Sequence, residues 1–192
     1  MFSLLSNDPA ACETAANILL NGGVAIIPTD TVYGLAAHPN HPEAVARLQT
    51  LKARENPKPI ALLIDAPETL ARFTRDPLPR ATALAQRYWP GPLTLVLDTT
   101  AGVEGFRVPN HAFCRALLAR CGGALRVTSA NLTGQLPATS AAAALEALGL
   151  TADVLIDDGT SPGGVASTVL RITPADTTLL REGAIPFSEC LA

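Results

Sequence analysis

Two continuous apolar runs, VAIIP at 24–28 and PIALLI at 59–64, constrain the fold more than any other feature of this chain. A strand with one wet face alternates apolar and polar residues. A strand without alternation is buried on both faces, so its sheet needs cover on both sides. The segments between supply helices. Asp8-Pro9 followed by AACETAANILL reads as a helix with an aspartate cap and proline at its first position, ended by Gly22-Gly23. HPEAVARLQTLKAR at 41–54 has apolar residues at 45, 48 and 51, a helical spacing, and 67–73, 79–88, 111–122 and about 140–149 read as further helices. PLTLVLD at 92–98, VEGFRVP at 103–109, the start of ALRVTSAN, and the tail segments VLI, STVLRI and TTLLR read as strands. Some strands alternate with helices and others follow one another. The expected class is therefore α+β, an α/β mixture, with a mixed rather than purely parallel sheet. With no internal repeat and no marked linker, residues 1–192 are expected to form one domain.

Composition removes several functions. Hydrophobic residues make up 48% and charged residues 16%, which supplies a core and argues against disorder. The net charge of −3 has the wrong sign for a protein that coats nucleic acid. Cys12, Cys114, Cys121 and Cys190 form no C-x-x-C pair, so neither a zinc ribbon nor a thioredoxin-like site is indicated. The expectation is reduced, buried thiols in a cytoplasmic protein. The N-terminus lacks a basic region, and no run of 18 apolar residues occurs, so neither a signal peptide nor a membrane span is predicted.

Five polar clusters stand out. PTDTVYGL (28–35), TSANLTG (128–134) and GVASTV (164–169) share one design, an apolar strand running into small polar side chains. Strand ends are where α/β sheets open crevices, and hydroxyls there suit a small polar ligand. The same residues also make caps and turns. KARENPKP gathers Lys52, Arg54 and Lys58 at a helix end. They offset a helix dipole or, in a chain this poor in charge, bind a polyanion such as phosphate. GFRVPNH puts Arg107 inside an apolar strand, and Arg181 ends the last strand in LLREGAI. Each needs an anion, from the protein or from a ligand. His38 and His41 lie on a proline-bounded loop without a third ligand, and His111 sits at a helix start, a structural position. No P-loop and no G-x-S-x-G occurs.

In order, PTDTVYGL, the K-x-R of KAR, WPGPLTLVL, RVPNH, SANLTG, STV and REGAI make the chain similar to YrdC-like proteins, the TsaC-type threonylcarbamoyl-AMP synthases, over residues 10–187. The resemblance implies a twisted mixed sheet flanked by helices with a deep concave substrate pocket, in the short, single-domain form. It implies synthesis of threonylcarbamoyl-adenylate and pyrophosphate from L-threonine, bicarbonate and ATP. A threonylcarbamoyl transferase complex downstream would use that product to modify tRNA beside the anticodon. Position by position, Thr31, Arg107, Val127 and Ser167 resemble threonine-binding residues. Lys52, Arg54, Lys58, Ser129, Asn131 and Arg181 resemble ATP-binding residues. No residue is implied as a nucleophile; Lys52 and Arg54 matter most, through positioning and charge. Mg2+ would arrive with ATP, with no tightly bound protein metal site. The chain departs from the family at Leu63, where many members have histidine, at Ala36, where glycine is usual, and at Ala166, where a larger or acidic residue is common. Two other functions stand beside this one: a non-catalytic module binding double-stranded RNA or tRNA, and a carbamoyl-transfer domain of the hydrogenase-maturation type. Weak RNA binding is compatible with the first reading.

Overall fold

The computed structural model of the chain describes residues 2–52, 59–74, 78–149 and 151–191. In chain order the elements are β1 (Phe2–Leu5), α1 (Ala11–Leu20), β2 (Val24–Ile27), β3 (Gly34–Ala37), α2 (Pro42–Leu51), β4 (Leu62–Ile64), a 3-10 turn (Pro67–Arg72), α3 (Pro79–Tyr88), β5 (Leu93–Thr99), β6 (Gly102–Arg107), α4 (Ala112–Arg120), β7 (Ala124–Ser129), α5 (Ala141–Leu148), β8 (Val154–Asp157), β9 (Thr168–Ile172), β10 (Thr177–Arg181) and α6 (Phe187–Cys190). The strands form one sheet in the order β1-β8-β2-β3-β7-β4-β6-β5-β9-β10. It is mixed, as expected. β8 is parallel to both β1 and β2, and β4–β6 and β5–β9 are parallel. The remaining pairs are antiparallel.

The continuous apolar runs do lie where both faces are covered. Along β2, Ala25 and Ile27 face a core shared with α1 and α4, whereas Val24 and Ile26 face a core shared with α2 and α5. β4 divides in the same way, with Leu63 on the α1/α4 side and Leu62 and Ile64 on the other, among residues of α3. A fully buried leucine or isoleucine contributes roughly 1.5–3 kcal/mol by transfer, so a one-residue slip of either strand is strongly disfavoured. The far half of the sheet is treated differently. On β5, β6 and β9, the residues Leu93, Leu95, Phe106 and Leu170 pack under α3. Their alternates Thr94, Gly105, Arg107 and Val169 face the opposite side, the side on which Leu63, in register with Arg107, packs with α1 and α4.

Some details of the helices differ from the expectations. Asp8 does not cap α1. Its Oδ1 folds back to accept from Ala10 N at 2.8 Å, an Asx turn, and the helix starts at Ala11. α2 ends at Leu51, with Lys52 as its C-cap.

Tight backbone packing closes the polar side. A Cβ added at Gly183 would stand 2.2 Å from Ala166 O and 2.6 Å from Ser167 O, both backbone atoms that cannot swing away. Gly183→Ala is expected to destabilise the protein by ~1–3 kcal/mol, the range for overpacking. Urea unfolding checks this, and an unchanged midpoint would mean that the last strand is free to move off Ser167.

Candidate functional site

The exit from β2 is the hub of the polar side. Thr29 Oγ1 accepts from Thr31 N (3.2 Å) and Val32 N (3.3 Å) and donates to Val32 O (2.6 Å), closing a turn on itself. For this threonine the turn-forming reading suffices. Thr31, 1% exposed, does more: its Oγ1 lies 3.1 Å from Thr29 Oγ1 and accepts from Arg107 Nη1 at 2.9 Å. Tyr33 N donates to Ala138 O, and Ala130 N donates to Tyr33 O, each at 2.8 Å, tying the same turn to the loop after β7. Tyr33 Oη donates to Gly159 O (2.8 Å) and accepts from Asp158 N (2.9 Å), which anchors the loop after β8 as well. The turn thus fixes the loop after β7 and the start of the loop after β8 relative to itself, while GVASTV, expected to follow a strand, instead leads into β9 at Thr168.

Arg107 ends β6 with 6% exposure. Nε donates to Gly91 O at 3.0 Å, Nη1 to Thr31, and Nη2 to Asp30 Oδ1 in an ion pair. Burial lowers its pKa, and the Asp30 charge opposes that. Arg181 lies across the polar side. Its Nε and Nη2 donate to Ser167 O at 3.0 and 2.7 Å, and Nη2 reaches Ser167 Oγ at 3.1 Å. Ser167 Oγ in turn sits 2.8 Å from Thr94 Oγ1. Burial, and then the charge of Arg107, lower the Arg181 pKa. Arg181 has no carboxylate partner among the described residues. Arg107 is buried and neutralised by Asp30, whereas Arg181 is an exposed residue whose guanidinium rests on Ser167. Beside the Arg107–Asp30 pair lies a pocket of about 340 Å³ lined by Asp30, Thr31, the Pro90–Pro92 segment, Asn110, Gly163 and neighbours.

A second cluster forms around Lys52, which is 2% exposed. Its Nζ donates to Ser129 O (2.6 Å), Asn131 O (2.7 Å) and Asn131 Oδ1 (3.0 Å), with Ser129 Oγ at 3.3 Å. Asn131 Nδ2 donates to Leu132 O (3.0 Å) and Gln135 O (2.7 Å). Lys52 and Asn131 together therefore hold the loop after β7 in shape. Val127, one residue row away on β7, donates its N–H to Ala61 O at 3.0 Å and pairs with Ala36 of β3.

The structure thus joins Thr31 to Arg107 and Asp30 in one hydrogen-bonded group, Ser167 to Thr94 and Arg181 in a second, and Lys52 to Ser129 and Asn131 in a third. Arg54 and Lys58 lie outside the described residues. Leu63 pairs in register with Arg107 and is buried in the apolar core shared with α1 and α4. Two contributors, Asp30 and Thr94, went unassigned in the sequence. Thr94 had a signal, as a hydroxyl inside the apolar run PLTLVL. Asp30 had none beyond lying in PTDTVYGL. The cysteines supply no nucleophile at neutral pH where they are most buried: burial pushes the Cys114 thiol up to about 12 and the Cys121 thiol up to about 11. No group of three or more His, Cys, Asp or Glu able to hold a metal occurs among the described residues, and no described helix is long and apolar enough to cross a membrane.

Fold and site define an α/β protein with polar clusters at strand ends, and a pocket beside them that carries Asp30, Thr31 and Asn110 in its lining, the kind of place that takes a small polar ligand. The model of the Sua5/YciO/YrdC family, which carries the description telomere recombination, matches residues 17–183. The chain belongs to that family. It is 34% identical over 193 residues to the threonylcarbamoyl-AMP synthase of Bacillus subtilis (strain 168), covering 95% of this chain and 56% of that protein. It is 34% identical over 187 residues to the threonylcarbamoyl-AMP synthase of Idiomarina loihiensis, covering 88% of this chain and 97% of that one. The chain thus spans about half the length of the first relative and nearly all of the second. Among solved structures, that of P. abyssi Sua5 complexed with L-threonine superposes with a TM-score of 0.91 at 30% identity, over 98% of this chain and 58% of that one.

Proposed function

We propose that this chain is an L-threonylcarbamoyladenylate synthase, a nucleotidyltransferase that joins L-threonine, bicarbonate and the AMP part of ATP and releases pyrophosphate. The observation that carries the reading is the buried cluster of Thr31, Arg107 and Asp30, with Arg181 on Ser167 close enough for the Arg107 charge to act on it. The names of the relatives and the L-threonine bound to one of them support the choice of substrate.

In this reading the protein provides position and charge rather than a nucleophile. The threonine amine adds to carbon dioxide, or to bicarbonate with loss of water, and forms a carbamate. A carbamate oxygen then attacks the α-phosphorus of ATP, and the bond to pyrophosphate breaks. Arg107 keeps a second N–H on each terminal nitrogen beyond its bonds to Thr31 and Asp30, a fork suited to the threonine carboxylate. Thr31 and Ser167 offer hydroxyls on the same side, and Val127 backbone and side-chain surface. The loop shaped by Lys52 and Asn131 would present Ser129 Oγ to the nucleotide, with Arg181 and, from outside the described residues, Arg54 and Lys58 on the phosphates. Magnesium would travel with the triphosphate, held mostly by phosphate and water. Holding the reactants together can supply ~7–11 kcal/mol of the barrier in favourable cases, and fixed cations at the phosphates supply much of the rest. We place the enzyme in the cytoplasm as one domain, its product passed to a tRNA-modifying transferase complex.

Pyrophosphate release with a panel of amino acids tests the reading. L-threonine should be fastest. Serine, which lacks the methyl, should be slower by about 10–200-fold, the span for one methylene. Valine, nearly the shape of threonine but without its hydroxyl, should lose at least as much, since it leaves pocket hydroxyls unpaired. Equal rates with valine would refute threonine as the substrate.

A further inference from the structure

Asp30 is the acidic residue among those lining the pocket beside Thr31. Its backbone oxygen accepts from Gly163 N at 3.0 Å, where a Cβ on Gly163 would stand 2.5 Å from that oxygen, so the backbone here is clamped. Its side chain, 10% exposed, uses Oδ1 for Arg107 Nη2. Oδ2 accepts no hydrogen bond from any described residue, yet it is not among the sealed-off polar atoms without a partner. It therefore keeps access to the pocket. A site meant for a simple anion gains nothing from this arrangement, because a fixed carboxylate weakens the pull of the arginine beside it. A ligand that carries both signs on neighbouring atoms needs both partners.

We propose that Asp30 Oδ2 receives the α-ammonium of the amino-acid substrate while Arg107 takes its carboxylate, so that the pair selects α-amino acids over acids lacking the amine. This rests on the reading above that the crevice binds an amino acid. Asp30 then also holds the amine in the orientation from which, once deprotonated, it meets carbon dioxide.

The test is calorimetric titration of wild type and Asp30→Asn with L-threonine and with (R)-3-hydroxybutyrate, which keeps the carboxylate, hydroxyl and methyl but has no amine. Asparagine keeps an oxygen for Arg107. Should it fail to fold by circular dichroism, Asp30→Ser takes its place. The wild type should prefer threonine. The variant should bind threonine at least tenfold more weakly while binding 3-hydroxybutyrate as well as the wild type or better, because Arg107 has lost a competing anion. Equal losses for both ligands, or no loss for threonine, would overturn the proposal and leave Asp30 a support for Arg107 alone. If the wild type itself binds no L-threonine, with or without ATP, the amino-acid reading of the crevice fails, and this inference falls with it.

Discussion

Lys52→Met is expected to cost about 1.5–3 kcal/mol of stability, the scale for hydrogen bonds to a charged group. The ammonium is 2% exposed and draws Ser129 O, Asn131 O and Asn131 Oδ1 to within 3.0 Å of one point. Methionine matches the length and volume of the stem but donates nothing, so those oxygens stay buried without that donor. The loop after β7 should loosen, and with it any nucleotide contact made by Ser129. Chemical denaturation measures the first effect and ATP titration the second. A variant that keeps full stability yet loses ATP binding would mean that Lys52 meets the phosphates directly rather than shaping the loop. A variant that keeps both would show that the cluster has neither role.

The second large effect is expected at Arg107. Lysine keeps the charge but replaces a planar fork of donors with a point, so it cannot serve Gly91 O, Thr31 Oγ1 and Asp30 in their present directions and still face a ligand. L-threonine affinity should fall at least tenfold in Arg107→Lys, consistent with ~1.5–3 kcal/mol for a hydrogen bond to a charged group. Arg107→Ala should in addition destabilise the fold by roughly 3–5 kcal/mol, because it leaves the Asp30 carboxylate without its cation. Threonine binding by the lysine variant at wild-type strength would separate Arg107 from the substrate and leave the ion pair with Asp30 as its whole function.

Much of this architecture was legible in the chain. The runs VAII, LLI and LTLVL became inner strands because burial on both faces leaves no polar alternation to read, only continuity, and continuity was visible. The helix at 79–88 was read to the residue, since proline at its first position marks the start. His111 fits its structural reading: its Nδ1 accepts from Cys114 N at 3.4 Å as the cap of α4. β1 and β3 escaped, for different reasons. FSLL is an edge strand with mostly exposed residues, and it exists because β8 offers it a free parallel edge. GLAA is short and alanine-rich, with no propensity of its own, and is held as a strand by β2 and β7 on either side. Both are set by partners distant in sequence, which local pattern does not carry.

The site divides in a similar way. Residue types revealed where polar groups gather near strand ends, and there Arg107 bonds Thr31 and Arg181 bonds Ser167. Pairing was not legible. Arg107 called for an anion, and nothing in RVPNH pointed 77 residues back to Asp30. Lys52 read as a helix-end cation that offsets the dipole or meets a polyanion. In the fold it is the buried centre of a loop that starts 77 residues later at Ser129. A long side chain at a helix end can turn inward as readily as outward, and only the neighbouring strand decides.

The product that the protein makes decides its function most directly. Purified protein incubated with ATP, magnesium, L-threonine and heavy-carbon bicarbonate should yield a nucleotide product whose mass equals AMP joined to a threonylcarbamoyl group, with the label in the carbamoyl carbon, and pyrophosphate in equal amount. A product mass without the labelled carbon, pyrophosphate release that ignores bicarbonate, or ATP consumed with no threonine incorporated would contradict the proposed synthesis.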